Sequence, residues 1–443
     1  MVTQVTPVAT EEDYREHLIK LREEIERKHG KTVKQLHEER QRRLWDAIEM
    51  REPDRVPVIF GWPDFAAKYA GLPYSAVYYD IIRWKKAYTR MMADFEPDTC
   101  RNITTSSGPV VDTLEAKGTL WPGGTLPPDV TQQAVDGEWL HEDEYDLFIE
   151  DTTDFIIRRY IPRVYGAMEP LAKLPSLSER FAGLPAITTL FTTPEFIKLA
   201  RALFKAGQEQ AKHRLAMGKF TEDMASLGFP PLGEGGGAGG PAFDVMANSY
   251  RGWKGIVTDM YRRPEKLIAA LEKINRGQLA RATPPDPTKK GPQIGGGGAI
   301  HRGSDRFLSK KQWETFYWPT WKKSLQASID LGYIPLIFAE GYCDNRLEYF
   351  LDFPRASMII RLDATDIFRA KEVLGSHFCI MGNVPQVLLQ MGSPSEVDEY
   401  CEKLIKVCGK GGGYILRGAT DGVQDAKPEN AKAMVDSVKK YRP

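Results

Sequence analysis

The sequence predicts an α/β fold: a (β/α)8 TIM barrel with an N-terminal helical extension and a helical insertion between strands 2 and 3. Short apolar runs near residues 57, 100, 229, 296, 336, 359, 380 and 414 give about eight strands, the number such a barrel needs, and helical segments separate the later ones at regular spacing. The run Ile334–Ala339 is wholly apolar or proline, which suits a strand buried on both faces, and it stops abruptly at Glu340-Gly341. A doubly wound open sheet is the alternative reading of the same alternation.

Taken in order, residues 1–50 form the helical extension and 51–443 the barrel. Between residues 11 and 50 the chain is densely charged, with apolar positions at Tyr14, Leu18, Leu21 and Ile25, then Val33, Leu36, Leu44 and Ile48. Spacings of three and four predict two amphipathic helices broken at Gly30. Residues 55–60 read as the first buried strand, running into Gly61-Trp62-Pro63. A second strand follows at 97–103, then a hairpin-rich excursion at 108–130 around Trp121-Pro122-Gly123-Gly124. Residues 143–227 are almost continuously helical, too long for one crossover, and read as the insertion. Thereafter strands and helices alternate to a closing helix at residues 428–441.

The 443 residues carry 60 basic and 60 acidic side chains, so nothing in the overall balance argues for nucleic acid or a membrane surface as partner. No apolar run reaches transmembrane length and the first residues lack the apolar core of a signal peptide, so a cytoplasmic location is expected. Cys100, Cys343, Cys379, Cys401 and Cys408 form no CxxC pair, which fits free thiols better than a disulfide framework or structural zinc.

Barrels and open sheets place their chemistry at the carboxyl ends of the strands, which makes Glu340 a site candidate; capping of a helix beginning near Arg346 is its plain structural alternative. Two glycine runs, Gly235-Gly236-Gly237-Ala238-Gly239-Gly240 and Gly295-Gly296-Gly297-Gly298, lack the GxxxxGK[ST] and GxGxxG nucleotide patterns. They suggest instead a roomy, flat-walled ligand site, or mere loop flexibility. Trp62 could line a pocket or pack a loop. Cys343 has no adjacent basic residue to lower its pKa and reads as structural.

Several segments resemble the uroporphyrinogen decarboxylase superfamily, in particular its methyltransferase-like branch: Glu52-Pro53-Asp54-Arg55-Val56-Pro57, the segment from Asp259 to Leu267, His301-Arg302-Gly303-Ser304-Asp305, Glu340-Gly341, Met381-Gly382-Asn383-Val384-Pro385, and Lys427-Pro428-Glu429-Asn430. The resemblance implies a TIM barrel with a deep cleft at the strand ends, and by family precedent a homodimer. It also implies one of two chemistries. The decarboxylases carry an arginine-rich loop after the first strand, where this chain has residues 60–69 with Trp62 and no paired arginines. The corrinoid-linked methyltransferases hold zinc through an HxC pair and a late cysteine. Here Phe338, Ala339, Glu340 and Gly341 stand in the first place and Ala419, Thr420 and Asp421 near the second, so zinc is not expected at the usual family site.

The residues left at the implied rim are Glu234, His301, Glu340, Asp363, Asn383, Arg417 and Asp421, with Arg302, Tyr342 and Arg346 beside them. His301, Glu340, Asp363 and Asp421 are the expected catalytic set, because carboxylates gathered around one imidazole can share acid/base work. Trp62, Glu234, Arg302, Tyr342, Arg346, Asn383 and Arg417 are the expected substrate contacts. A divalent metal held by the histidine and two carboxylates is a competing reading. Each also has a structural alternative: Asp363 or Asp366 as a helix cap, Asn383 as a turn brace, His301 as a satisfied core histidine.

The implied function is a substrate-specific methyltransferase, or demethylase, passing a methyl group between a small methoxylated or methylated compound and a corrinoid (cobalamin) protein. The corrinoid-binding DxHxxG segment is absent from the sequence, so the cofactor would arrive on a separate protein. A cofactor-free carboxy-lyase using Arg302, Arg346 and Arg417 as carboxylate holders, and a non-catalytic tetrapyrrole or corrinoid binder, are the alternatives.

Overall fold

The computed structural model describes residues 9–99, 105–176, 185–233, 235–420 and 423–443. In chain order its strands are β1 (Thr119–Leu120), β2 (Gln133–Ala134), β3 (Ile294–Ala299), β4 (Ile334–Ala339), β5 (Ile359–Leu362), β6 (Cys379–Met381) and β7 (Tyr414–Ile415). The chain divides into two compact units, one made of residues 1–105, 213–233 and 379–443, the other of 106–212 and 234–378. No helix among the described residues is long and apolar enough to cross a membrane.

The first unit opens with helices α1 (Glu11–His29) and α2 (Val33–Ile48). Thr10 and Thr32 close capping boxes with Asp13 and Gln35, and α1 stops at Gly30 in the left-handed conformation, as the sequence reading places it. Tyr14, Leu21 and Ile25 on α1, with Val33, Leu36, Leu44 and Ile48 on α2, are the buried stripe. The Glu52–Pro57 stretch is explained here by charge. Asp98 has no solvent exposure. It accepts bonds from the guanidinium groups of Arg43 and Arg55 and, at 2.9 Å, from the Val58 backbone N–H. Asp54 holds the other edge of Arg43 at 2.6 Å.

Among the described residues, the expected strands near 57 and 229 are reduced to isolated bridges, Val58 with Leu416 and Ile59 with Thr99 in the first. Pro57, Pro97, Pro230 and Pro231 remove the N–H groups a longer ladder would use. The stretch 100–103 of the second expected strand lies outside the described residues. β6 and β7 pair in parallel, Ile380 opposite Tyr414.

In the second unit β1 and β2 form the antiparallel hairpin of the 108–130 excursion, the second strand lying just beyond it. Strands β3, β4 and β5 are parallel neighbours, with Gly298 opposite Ile337 and Ile337 opposite Ile360. β4 is less enclosed than its composition suggests. Ile337 and Ala339 are fully buried, whereas Ile334, Leu336 and Phe338 alternate with them at partial exposure. The Arg361 guanidinium on β5 lies 3.9 Å above the Phe338 ring.

The two glycine runs pack against each other, and Gly235, Gly236 and Gly298 remain exposed. Gly235 N–H donates to Ile294 O at 3.1 Å and Gly296 N–H to Gly236 O at 2.9 Å, so the two runs lie backbone against backbone. A methyl group on Gly237 would come within 2.7 Å of Gly296 N. Gly297 has φ of 91°, and a Cβ there would sit 2.3 Å from Leu336 O. Gly297→Ala is therefore expected to cost about 1–3 kcal/mol from backbone conformation alone, plus the displacement of β4. A urea midpoint unchanged from the native protein would contradict this reading.

Candidate active site

Two adjacent strand ends bring the central pair together. Ile300 N–H donates to Phe338 O at 2.7 Å and extends the β3–β4 ladder by one residue. The next residue, His301, then faces Glu340, and its Nδ1 lies 2.8 Å from the Glu340 carboxylate. Both side chains are 38% exposed, enough to meet a substrate, so His301 is not a core histidine. Glu340 is not a helix cap either: the 3-10 helix Asp344–Asp352 begins at Cys343 with no side-chain cap. The hydrogen bond that His301 Nδ1–H donates to the Glu340 carboxylate, aided by its charge, raises the His301 pKa against the opposing effects of burial and Arg302. The charged form of the imidazole is thus more favoured than in a free histidine, with Nε2 on the far side of the ring.

Asp363, at the end of β5, accepts from Gly341 N–H at 2.9 Å, and burial together with the nearby Glu340 charge pushes its pKa up. It braces the turn that carries Glu340 and adds a second carboxyl group to the same place. Asp366 does cap the helix Ile367–Leu374, accepting from Phe368 and Arg369 N–H. Cys343 is buried, donates weakly to Glu340 O at 3.7 Å and has its thiol pKa raised by burial, which fits a structural role.

The substrate-contact candidates separate on inspection. Arg302 is partly exposed and donates from Nε to Asn248 Oδ1 at 3.3 Å. Tyr342 is exposed, with the Arg306 guanidinium 3.4 Å above its ring. Arg346 instead is 2% exposed. Its guanidinium is committed to Leu308 O at 2.6 Å, Gly303 O at 3.4 Å and the Asp305 carboxylate at 3.2 Å. It therefore anchors the 303–308 loop and is not placed to grip a substrate carboxylate. Trp62, Asn383 and Arg417 belong to the other unit. There Trp62 and Arg417 line one cleft with Phe60, Gly61 and Thr420. Asn383 is buried and accepts from the Tyr400 hydroxyl at 3.4 Å, which suits the bracing role. Glu234 and Asp421 lie outside the described residues.

One residue of the site was not anticipated. Asp244, on the short helix Ala242–Val245, is buried and accepts from His301 N–H at 2.8 Å, Arg302 N–H at 2.7 Å and the Tyr317 hydroxyl at 2.7 Å. Burial pushes its pKa up to about 6 despite these donors. The only sequence signal was a carboxylate inside the apolar segment Pro241-Ala242-Phe243-Asp244-Val245. Among the described residues no group of three or more His, Cys, Asp or Glu side chains is arranged to hold a metal ion.

Residues 231–441 match the family model described as Uroporphyrinogen decarboxylase (URO-D). A methyltransferase from Methanosarcina mazei shares the fold, with a TM-score of 0.53 at 14% sequence identity over 90% of this chain and 97% of that one. No curated protein matches the sequence. The parallel β/α units and these likenesses give the fold class as the (β/α)8 barrel.

Proposed function

We propose, on the match of residues 231–441 to the uroporphyrinogen decarboxylase family model, that this chain is a member of that superfamily and the substrate-recognising component of a corrinoid-linked methyltransferase. Its substrate would be a small methoxylated or methylated compound. The observation that carries this reading is the His301–Glu340 pair, an acid whose charged form is favoured and whose outer nitrogen can meet a substrate heteroatom. Among the described residues the thiol next to Glu340, Cys343, is buried, and the pair of imidazole and carboxylate suits proton donation to an ether or amine. A corrinoid on a partner protein would supply the nucleophile that receives the methyl group. In this chain, the electron pair of the breaking C–O or C–N bond stays on the heteroatom, which takes the proton from His301 Nε2. Glu340 holds Nδ1 and stabilises the charged ring until that transfer. Arg302 and Tyr342, each next in sequence or nearly so to a member of the pair and not fully buried, would orient the substrate.

The carboxy-lyase alternative is weakened by the burial of Arg346, one of its three intended carboxylate holders. Mixing the purified protein with a reduced corrinoid protein and a panel of methoxylated and methylated compounds distinguishes the two. Growth of methylcobalt absorbance with one class of compound supports the proposal. Carbon dioxide release without corrinoid, or silence across the panel, overturns it.

A further inference from the structure

We infer that Asp244 is the positioning residue of the His301–Glu340 pair: by holding two successive backbone amides it fixes the loop that presents the imidazole to Glu340. After Ile300 the β3–β4 ladder has ended, and the N–H groups of residues 301 and 302 no longer point at a neighbouring strand. One carboxylate takes both, Oδ2 from His301 and Oδ1 from Arg302, at 2.8 and 2.7 Å. Two bonds to adjacent peptide units fix the dihedral angles between them and with them the direction of the His301 side chain. Asp244 is itself held. The Tyr317 hydroxyl donates to Oδ2, and the helix that carries Asp244 follows directly on the glycine segment bonded to β3. The close backbone approach of the two glycine runs thus places a carboxylate beside the end of β3, 57 residues earlier in the chain.

A carboxylate acting on the ring only through its own charge would lower the His301 midpoint on removal whether or not Glu340 is present. A positioning residue acts through Glu340, so its removal lowers the midpoint while Glu340 is present and much less once Glu340 is gone. The charged groups acting on the ring are Glu340, Arg302 and Asp244 itself. The inference rests on the proposed function for its kinetic consequence and on geometry alone for the rest.

The test follows the imidazole resonances of His301 by NMR against pH in the full chain, with Glu340→Gln and Asp244→Asn compared to the unsubstituted protein. Asparagine keeps the size, but its NH2 group must face at least one of the two backbone N–H donors that the carboxylate accepted. The expected result is that the His301 midpoint falls in Asp244→Asn toward its value in Glu340→Gln, and that adding Asp244→Asn to Glu340→Gln lowers it by clearly less; an equal fall in both backgrounds would show an effect of charge alone and overturn the inference. A folded Asp244→Asn protein whose His301 midpoint remains at the native value overturns the inference. Should that variant not fold, the amide protons of His301 and Arg302 in the unsubstituted protein give the reading. Both are expected to shift together as Asp244 gains its proton near pH 6; an Arg302 amide indifferent to pH overturns the inference. If turnover is found, Asp244→Asn lowers kcat roughly tenfold or more with a smaller change in KM. A responsive His301 titration with no methyl transfer by any variant sinks the proposed function and leaves this inference standing.

Discussion

Glu340→Gln is expected to lower the proposed methyl transfer by about 10²–10⁴-fold, the range spanned by a single positioned acid or base, with little change in folding. The amide still accepts one hydrogen bond but carries no charge, so the imidazolium of His301 loses the partner that raises its pKa. The direction of the pH effect follows. His301 must be protonated to act as the acid, so activity falls as pH rises through its folded pKa, and in Glu340→Gln that alkaline limb moves to lower pH. The same coupling acts on stability. A histidine whose folded pKa lies above its unfolded value of about 6.5 contributes stability that is fully present below that value and is lost as pH rises through the folded pKa. With both side chains 38% exposed, solvent screens much of this contribution. Turnover is therefore the sensitive readout. A Glu340→Gln enzyme with native kcat/KM and an unmoved pH profile would remove Glu340 from the chemistry.

Asp98→Asn is expected to cost about 3–5 kcal/mol, as removing one side of a buried ion pair does, and to lower the urea midpoint accordingly. Burial acts to raise the Asp98 pKa, but Arg55, Arg43 and the Val58 N–H outweigh it and hold the carboxyl below its ordinary range. Neutralising it leaves two largely buried guanidinium groups without their shared anion. Asp54→Asn is the control: its carboxylate is 64% exposed, and water replaces it at a cost of about 1 kcal/mol or less. The pH dependence has the opposite sense to that of His301. A depressed carboxyl contributes stability present above its unfolded value near 3.8 and lost as pH falls through the folded one. Equal midpoints for the two variants would show that the Asp98 cluster does not hold the first unit together.

The sequence by itself determined what local spacing determines. The amphipathic stripes of α1 and α2, their break at Gly30 and the apolar strands that end at Glu340 and Asp363 are all periodic or punctuated over a few residues. So is the missing HxC pair. His301 and Glu340 were legible as candidates because each closes a strand, and strand ends converge in this fold class.

Only the tertiary structure decided where those ends point and what supports them. It joined His301 to Glu340, spent Arg346 on its own loop, turned the glycine runs toward each other and brought Asp244 under residues 301 and 302. Those outcomes depend on hydrogen bonds between groups far apart in sequence. A buried arginine and an exposed one have the same side chain, and an aspartate in a short apolar helix gives no local sign of the amides it will meet.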